Sequence, residues 1–227
     1  MIIALYHKIF KFSSSYMSEN VRFFAENVLI LNDFRIDVLS NVWYFTMDKA
    51  SESDLKMRMR KKPNLQPRME KCAAVQIAEP AALRGKWRES FPGKSLWLEI
   101  GCGKGQFTVG TAKENPEAEL IALERVEDAM VIAMERACAE ETDNVRFISM
   151  DALKLREVFA PGEVERIFVN FCDPWPKSNQ KKRRLTHGNF LKKYRQVLTE
   201  GGQIHFKTDN DKLFCLRIDT VIAMGGS

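Results

Sequence analysis

Residues 95–107, Ser-Leu-Trp-Leu-Glu-Ile-Gly-Cys-Gly-Lys-Gly-Gln-Phe, decide how this chain folds. An apolar run at 95–100 is followed by glycines at positions 101, 103 and 105. This order predicts a buried strand, a tight loop where a ligand can approach the main chain, and a helix over 106–114. We interpret it as the first unit of an α/β fold with a mostly parallel sheet.

The same alternation continues towards the C-terminus. Further strands are predicted at 119–124, 144–150, 166–171 and 203–207, with helices at 127–140, 152–159 and 189–198. The helix at 127–140 is supported by the helical spacing of its apolar residues. A doubly wound sheet places its ligands at the carboxyl ends of its strands.

Composition excludes several classes of protein. Of the 227 residues, 45% are hydrophobic and 29% are charged, which is typical of a soluble globular chain that can bury a core. No apolar run reaches the ~20 residues of a membrane span, and His7 and Lys8 interrupt the N-terminus too early for a secretory signal. The five cysteines are scattered, so we predict no metal site, a reducing compartment and a cytoplasmic location.

Two segments carry local positive charge. Residues 57–71 contain six basic residues and one acid, and residues 177–195 contain eight basic residues and no acid. Such patches favour a polyanionic partner, of which nucleic acid is the commonest, although a solvated helix face remains the alternative for each.

Four acids stand at successive strand ends: Glu99, Glu124, Asp151 and Asp173. Asp173 lies in the loop Phe-Cys-Asp-Pro-Trp-Pro-Lys at 171–177, which its prolines stiffen. Each acid alone could be a helix cap or a turn residue. Together they predict a nucleoside-bearing ligand with positive charge, and S-adenosylmethionine fits that description. A nicotinamide dinucleotide is disfavoured, because the glycine spacing differs from its fingerprint and Glu99 would repel a pyrophosphate.

Several motifs over residues 57–214 resemble those of the bacterial tRNA (guanine-N7)-methyltransferases, which belong to the class I S-adenosylmethionine-dependent methyltransferases. The motifs are LEIGCGKGQF, ALE, MDA, NFCDPWPK, KKRRLTHGNFLKKY and IHFKTDN. The resemblance implies a Rossmann-like methyltransferase sheet. Since the family's sheet usually has seven strands, this chain is expected to lack the last of them.

The resemblance also implies the roles of individual residues. Glu99, Glu124, Asp151 and Asp173 are expected to contact the cofactor, together with the loop glycines Gly101, Gly103 and Gly105. Lys177 and Asp209 are expected to contact the substrate, and the stretch 179–184 to contact RNA.

Asp173 is also the residue to which we assign the chemistry. Guanine N7 carries a free lone pair, so methyl transfer needs positioning rather than a strong base, and Asp173 is predicted to orient the guanine or the cofactor amine. The phosphate contacts are predicted for a set of cations that follows the Asp173 loop: Lys177, Lys181, Lys182, Arg183 and Arg184. Trp175 is expected to stack on a guanine or to pack against the loop prolines.

The domain prediction is threefold. Residues 1–56 show no sustained periodicity and are interpreted as an extension upstream of a functional start near Met57, with a small accessory domain as the alternative. Residues 57–94 form a basic segment of the catalytic domain, and 95–227 form the methyltransferase domain, truncated at its C-terminus. Two alternative functions stay open: methyl transfer to another substrate, and a noncatalytic, truncated RNA-binding product.

Overall fold

The computed structural model describes residues 21–24, 28–31, 34–37, 61–173, 175 and 177–207, the first three ranges by their backbone alone. The strands are β1 (Val21–Phe24), β2 (Val28–Leu31), β3 (Phe34–Asp37), β4 (Ser95–Ile100), β5 (Ala118–Glu124), β6 (Val145–Ser149), β7 (Val164–Asn170) and β8 (Leu198–Lys207). The α-helices are α1 (Leu65–Lys71), α2 (Trp87–Ser90), α3 (Gln106–Glu114), α4 (Glu127–Ala139), α5 (Leu155–Val158) and α6 (Gly188–Val197).

The strands of the described residues form one sheet in the order β1-β2-β3-β8-β7-β4-β5-β6. Its last five strands are parallel to one another, with β4 between β5 and β7. The predicted α/β fold with a parallel sheet is therefore confirmed. The predicted lack of final strands concerns residues 208–227, which lie outside the described residues.

Sequence analysis assigned no element to residues 1–56, whereas the structure places three short strands there. Strands β1, β2 and β3 pair antiparallel with one another, and β3 pairs parallel with β8. Pairing along β8 covers an edge that would otherwise expose unpaired backbone groups. Whether residues 1–56 are an extension or an accessory domain stays a prediction.

Helices cover both faces of the five-stranded parallel region. Because side chains alternate along a strand, Leu96, Leu98 and Ile100 of β4 enter one core cluster, which includes Trp87 of α2 and Tyr194 of α6. Trp97 of β4 enters the cluster on the opposite face, where α1, α3 and α4 pack. The two cores fix β4 in the centre of the sheet, and with it the loop that follows.

The start of β8 differs from its prediction. A strand was expected at 203–207 after a break at two glycines, but β8 begins at Leu198 and includes both of them. The pairing of β7 with β8 shifts in register there, and Gly201 has a φ of 71°. A bulge at these glycines lets the strand start early, since glycine adopts a positive φ at little cost.

Among the described residues, no helix combines the length and the apolar character needed to cross a membrane.

Candidate active site

The glycine loop joins β4 to α3 at the carboxyl edge of the sheet. Its backbone N–H groups at Gly101 and Cys102 both donate to the carbonyl of Leu123 on β5, at 2.9 and 3.1 Å. Gly101 and Gly103 have φ values of 81° and 55°, and a Cβ at either position would meet no atom within 4 Å. The loop therefore turns sharply while leaving open space beside its main chain, which is room for a ligand.

Gly105 has a different role from the other two loop glycines. A Cβ at this position would lie 2.6 Å from the Cβ of Ala133 and 2.9 Å from its Cα. Gly105 therefore allows the loop to pack directly on α4. Arg136 of α4 adds a hydrogen bond to the carbonyl of Lys104, at 3.3 Å.

Glu99 is buried next to this loop, with 2% of its surface exposed. Its carboxylate accepts hydrogen bonds from Thr108 Oγ1 at 2.5 Å and from Asn170 Nδ2 at 3.2 Å. The pKa of Glu99 is raised to about 7, chiefly by burial and to a lesser degree by the nearby Glu124 carboxylate, against the lowering effect of the two hydrogen bonds. A buried carboxylate of this kind suits a ligand that brings a positive charge.

Glu124 ends β5 beside the glycine loop. One of its carboxylate oxygens accepts from the N–H of Gly103 at 2.9 Å, and the other accepts from the N–H groups of Arg125 and Val126. These bonds fix the half-buried carboxylate at the edge of the sheet. An acid held at this position of a βαβ unit suits the hydroxyls of a ribose.

Asp151 follows β6 and serves as a cap, which is one of the roles that sequence analysis weighed for it. Its Oδ1 caps a short 3₁₀ turn by accepting from the N–H of Leu153 at 2.8 Å. Its Oδ2 lies 3.9 Å from a guanidinium nitrogen of Arg125, and the side chain is 37% exposed. The cap thus occupies one carboxylate oxygen of this partly exposed side chain and leaves the other near Arg125.

Asp173 lies exposed in the loop after β7. The backbone around it is strained, because Phe171 and Trp175 have φ values of 45° and 40°, in a region that L-residues rarely adopt. The N–H of Phe171 donates to the carbonyl of Lys207 at 2.8 Å, which ties the loop to β8. Phe171 itself is 58% exposed, and the ammonium of Lys207 lies 5.4 Å from its ring centre.

The cations after this loop form a 3₁₀ turn over Ser178–Arg183. Four of the predicted phosphate ligands are exposed: Lys177, Lys181, Lys182 and Arg183. The guanidinium of Arg183 lies 5.0 Å from the ring centre of Trp175. Arg184 is half-buried, and its guanidinium donates to the carbonyl of Trp175 at 2.9 and 3.2 Å. Arg184 therefore holds the loop in place, a contact that sequence analysis did not anticipate.

Asp209, the other predicted substrate residue, lies outside the described residues. The basic segment 57–71 is described only from Lys61 onward. There Arg68 forms a bidentate ion pair with Glu135 at 2.6 Å, and the N–H of Lys62 donates to Asp128 at 2.5 Å. Part of this segment's charge is thus neutralised by α4.

Sequence analysis missed Thr108 and Asn170, the two partners of Glu99. Asn170 is the last residue of β7. Phe168 is paired with Glu99 of β4, so Asn170 lies two residues further along the neighbouring strand, close enough for its side chain to reach the carboxylate. Thr108 lies in the first turn of α3. The only local signal for Asn170 was that it is a polar residue directly before the proline loop.

Within the described part of the chain, no group of three or more His, Cys, Asp or Glu side chains could hold a metal ion. His187 caps α6 through Nδ1, and His205 stacks on Phe168 with ring centres 4.7 Å apart.

The fold and the site define a class of protein. The parallel α/β sheet carries an open glycine loop, and Glu99 is buried beside it with hydrogen bonds from Thr108 and Asn170. Further acids stand at the ends of the next two strands. This is the arrangement of a nucleoside-cofactor enzyme of the Rossmann-like methyltransferase type. These residues fit S-adenosylmethionine, since they offer an anion for its ammonium and acceptors for its ribose and adenine.

Comparison with known proteins identifies the family. A family model described as "Putative methyltransferase" matches residues 93–223. The tRNA (guanine-N(7)-)-methyltransferase of Halalkalibacterium halodurans is 48% identical over 70% of this chain and 72% of its own length, and that of Exiguobacterium sibiricum is 44% identical over 74% and 80%. Among solved structures, the antibiotic-resistance methyltransferase Kmr aligns with a TM-score of 0.43 and 18% identity over 56% of this chain and 63% of that one. The chain belongs to the bacterial tRNA (guanine-N7)-methyltransferase family.

Proposed function

We propose that this protein transfers a methyl group from S-adenosylmethionine to N7 of a guanosine in tRNA. The observation that carries the proposal is the position of the basic turn at 178–183, which follows the Asp173 loop directly at the same sheet edge as the acids. The family's relatives support the choice of substrate, because the two named above are tRNA (guanine-N(7)-)-methyltransferases.

The cofactor is held by the carboxyl ends of β4, β5 and β6. Glu99 receives its ammonium group, Glu124 accepts from its ribose hydroxyls, and Oδ2 of Asp151 accepts from its adenine amino group. The open space beside Gly101 and Gly103 accommodates the rest of the cofactor. The cofactor supplies an electrophilic methyl group on a sulfonium.

Asp173 orients the guanine. N7 carries an unprotonated lone pair at neutral pH, so it can attack a methyl group without first losing a proton. The rate gain then comes from alignment, and reacting atoms held about 3–3.5 Å apart remove several kcal/mol of the barrier. An exposed carboxylate on a strained loop suits this task, since it can accept from the guanine edge or from the cofactor amine.

The tRNA backbone is bound by the four exposed cations, Lys177, Lys181, Lys182 and Arg183. Arg184 is occupied by the carbonyl of Trp175, so we assign it to supporting the loop. Asp209 is kept as a proposed substrate contact on sequence grounds.

Methyl transfer from labelled S-adenosylmethionine to an unmodified tRNA transcript, followed by nuclease digestion, tests the proposal. Labelled 7-methylguanosine is the expected product. Another labelled nucleoside would overturn the choice of N7, and cofactor binding without any product would favour the noncatalytic alternative.

The salt dependence of tRNA binding tests the basic turn separately. Four phosphate contacts give a log–log slope of affinity against salt of about −3 to −4. Replacing Lys181 by Gln should reduce the slope by about 1. The matched control is Lys86→Gln, because Lys86 is an exposed lysine before α2, at the opposite edge of the sheet. Equal slopes for the two variants would remove Lys181 from the contact set.

A further inference from the structure

Helices α1 and α4 lie side by side and in parallel. The contacts between their segments advance together along the chain, since Lys62 binds Asp128 and Arg68 binds Glu135. One turn beyond the second pair come Cys72, which caps α1, and Cys138, in the last turn of α4. Residues three or four apart share a helix face, so the two cysteines continue the same row of contacts.

The row places the two thiols next to each other, since Cys72 is buried in the same core cluster as Met134 and Ala137 of α4, and Cys138 is among the groups that perturb Cys72. Cys72 is buried, with 5% of its surface exposed, whereas Cys138 is exposed. Burial and the contact with Cys138 raise the pKa of the Cys72 thiol to about 11. The Cys138 sulfur is therefore accessible to a reagent, whereas the Cys72 sulfur is buried and protonated.

We propose that Cys72 and Cys138 are a modification site, at which a low-molecular-weight disulfide oxidises the pair to a reversible intramolecular disulfide. The pair lies at the C-terminal end of α4, and neither cysteine is among the residues proposed to bind the cofactor or the RNA. It is thus a separate site, and it does not depend on the proposed methyl transfer.

The exchange balances in two steps. The Cys138 thiolate attacks one sulfur of the small disulfide and releases one small thiolate, which takes up a proton. Cys72 then loses its proton and attacks the Cys138 sulfur of the mixed disulfide, releasing the second small thiol. Two protein thiols are oxidised to one disulfide, and one small disulfide is reduced to two thiols.

The bond would fasten α1 to the helix that supports the glycine loop. Ala133 of α4 packs against Gly105, and Arg136 binds the carbonyl of Lys104. In the reduced protein, α1 is held to α4 by the Arg68–Glu135 pair and by the buried side chains of Met69 and Cys72. Oxidation would make this attachment independent of salt and pH.

Peptide mapping of the full chain tests the proposal. The protein is incubated with oxidised glutathione, blocked with an alkylating agent and digested with trypsin. Cleavage at the neighbouring basic residues gives the peptides 72–84 and 137–146, and these are expected to be joined by a bond that a reductant cleaves. A lasting glutathione adduct on Cys138 with a free Cys72 would overturn the proposal, and so would a link from Cys138 to any other cysteine.

Thermal unfolding gives a second readout. The disulfide would close the loop from Cys72 to Cys138. A loop of that length is expected to raise the Tm of the oxidised protein by about 5–10 °C over that of the reduced protein. Cys138→Ser should abolish the difference. Cys72→Ala is the second variant, because alanine is tolerated in a buried position; it should leave Cys138 as a mixed disulfide. A Tm difference that persists in both variants would contradict the proposed link.

Discussion

The two halves of the carboxyl edge are built differently. On one half, Glu99 and Glu124 are held by hydrogen bonds from side chains and from the glycine loop, and Glu99 is buried. On the other half, Asp173 is exposed, and Phe171 and Trp175 beside it have positive φ values.

The difference indicates that the half we propose for the cofactor is formed in advance, whereas Asp173 and four cations of the half we propose for the substrate are exposed. A small cofactor benefits from a site whose donors and acceptors are already aligned. A large RNA brings its own rigid shape, and the enzyme needs an accessible carboxylate and accessible cations to meet it. Substitutions on the two halves should therefore affect different quantities: the rate of tRNA methylation on one half, and stability or cofactor affinity on the other.

Removal of the Asp173 carboxylate should have the largest effect. Asp173→Ala is expected to lower kcat for tRNA methylation by about 100- to 1,000-fold, because alignment of the guanine is lost. The measurement is single-turnover methyl transfer. Asp143→Ala is the control, since Asp143 is an exposed acid before β6, at the opposite edge. A rate within tenfold of the wild type would remove Asp173 from its proposed role.

Replacement of Gly105 should disturb the preformed half of the site by destabilising the fold. Gly105→Ala introduces a methyl group 2.6 Å from the Cβ of Ala133 at a φ of 73°, and it should lower the free energy of unfolding by about 3 kcal/mol. Urea unfolding measures this change. Gly110→Ala is the matched control, because Gly110 lies in α3 with nothing within 4 Å of a new Cβ. The control should raise stability by about 0.5–1 kcal/mol. Equal changes in the two variants would contradict the contact with α4.

The protonation of Glu99 should have the smallest effect of the three. Its pKa is about 7 in the free protein, and an ammonium ligand binds the ionised form. Affinity for S-adenosylmethionine should therefore weaken as the pH falls through 7, by about tenfold between pH 8 and pH 6.

Isothermal titration at several pH values measures this dependence, and buffers of different ionisation enthalpy should show release of a proton on binding below pH 7. Glu99→Gln should bind more weakly at pH 8 and should flatten the profile. A wild-type affinity that is constant from pH 6 to pH 8 would mean that Glu99 does not meet the ammonium group.

Much of the cofactor half could be predicted from sequence because its signals are local. The glycine loop and the acids that end β4 and β5 stand in short, regular patterns, and the predicted bounds of α3 agree with the structure. Thr108 and Asn170 could not be assigned as partners of Glu99, since their contact depends on the packing of α3 and on the register between β4 and β7.

The loop after β7 was harder to predict. Its prolines indicated stiffness, but nothing in the run of cations showed that Arg184 turns back to the carbonyl of Trp175 while its neighbours stay exposed. That distinction depends on the path of the chain through the 3₁₀ turn. The N-terminal strands were missed for a related reason, because short strands without alternation are specified by the edge that they join.

The strand order has a consequence for how the chain folds. Strands β4, β5 and β6 are consecutive in sequence and adjacent in the sheet, whereas β7 must return across the sheet to the other side of β4. During synthesis from the N-terminus, β4 with Glu99, β5 with Glu124, and β6 with Asp151 just after it are complete before β7 exists. The site proposed for S-adenosylmethionine can thus begin to form before the surface proposed for tRNA. The later crossover to β7 places Asn170 next to Glu99 and so connects the two sites.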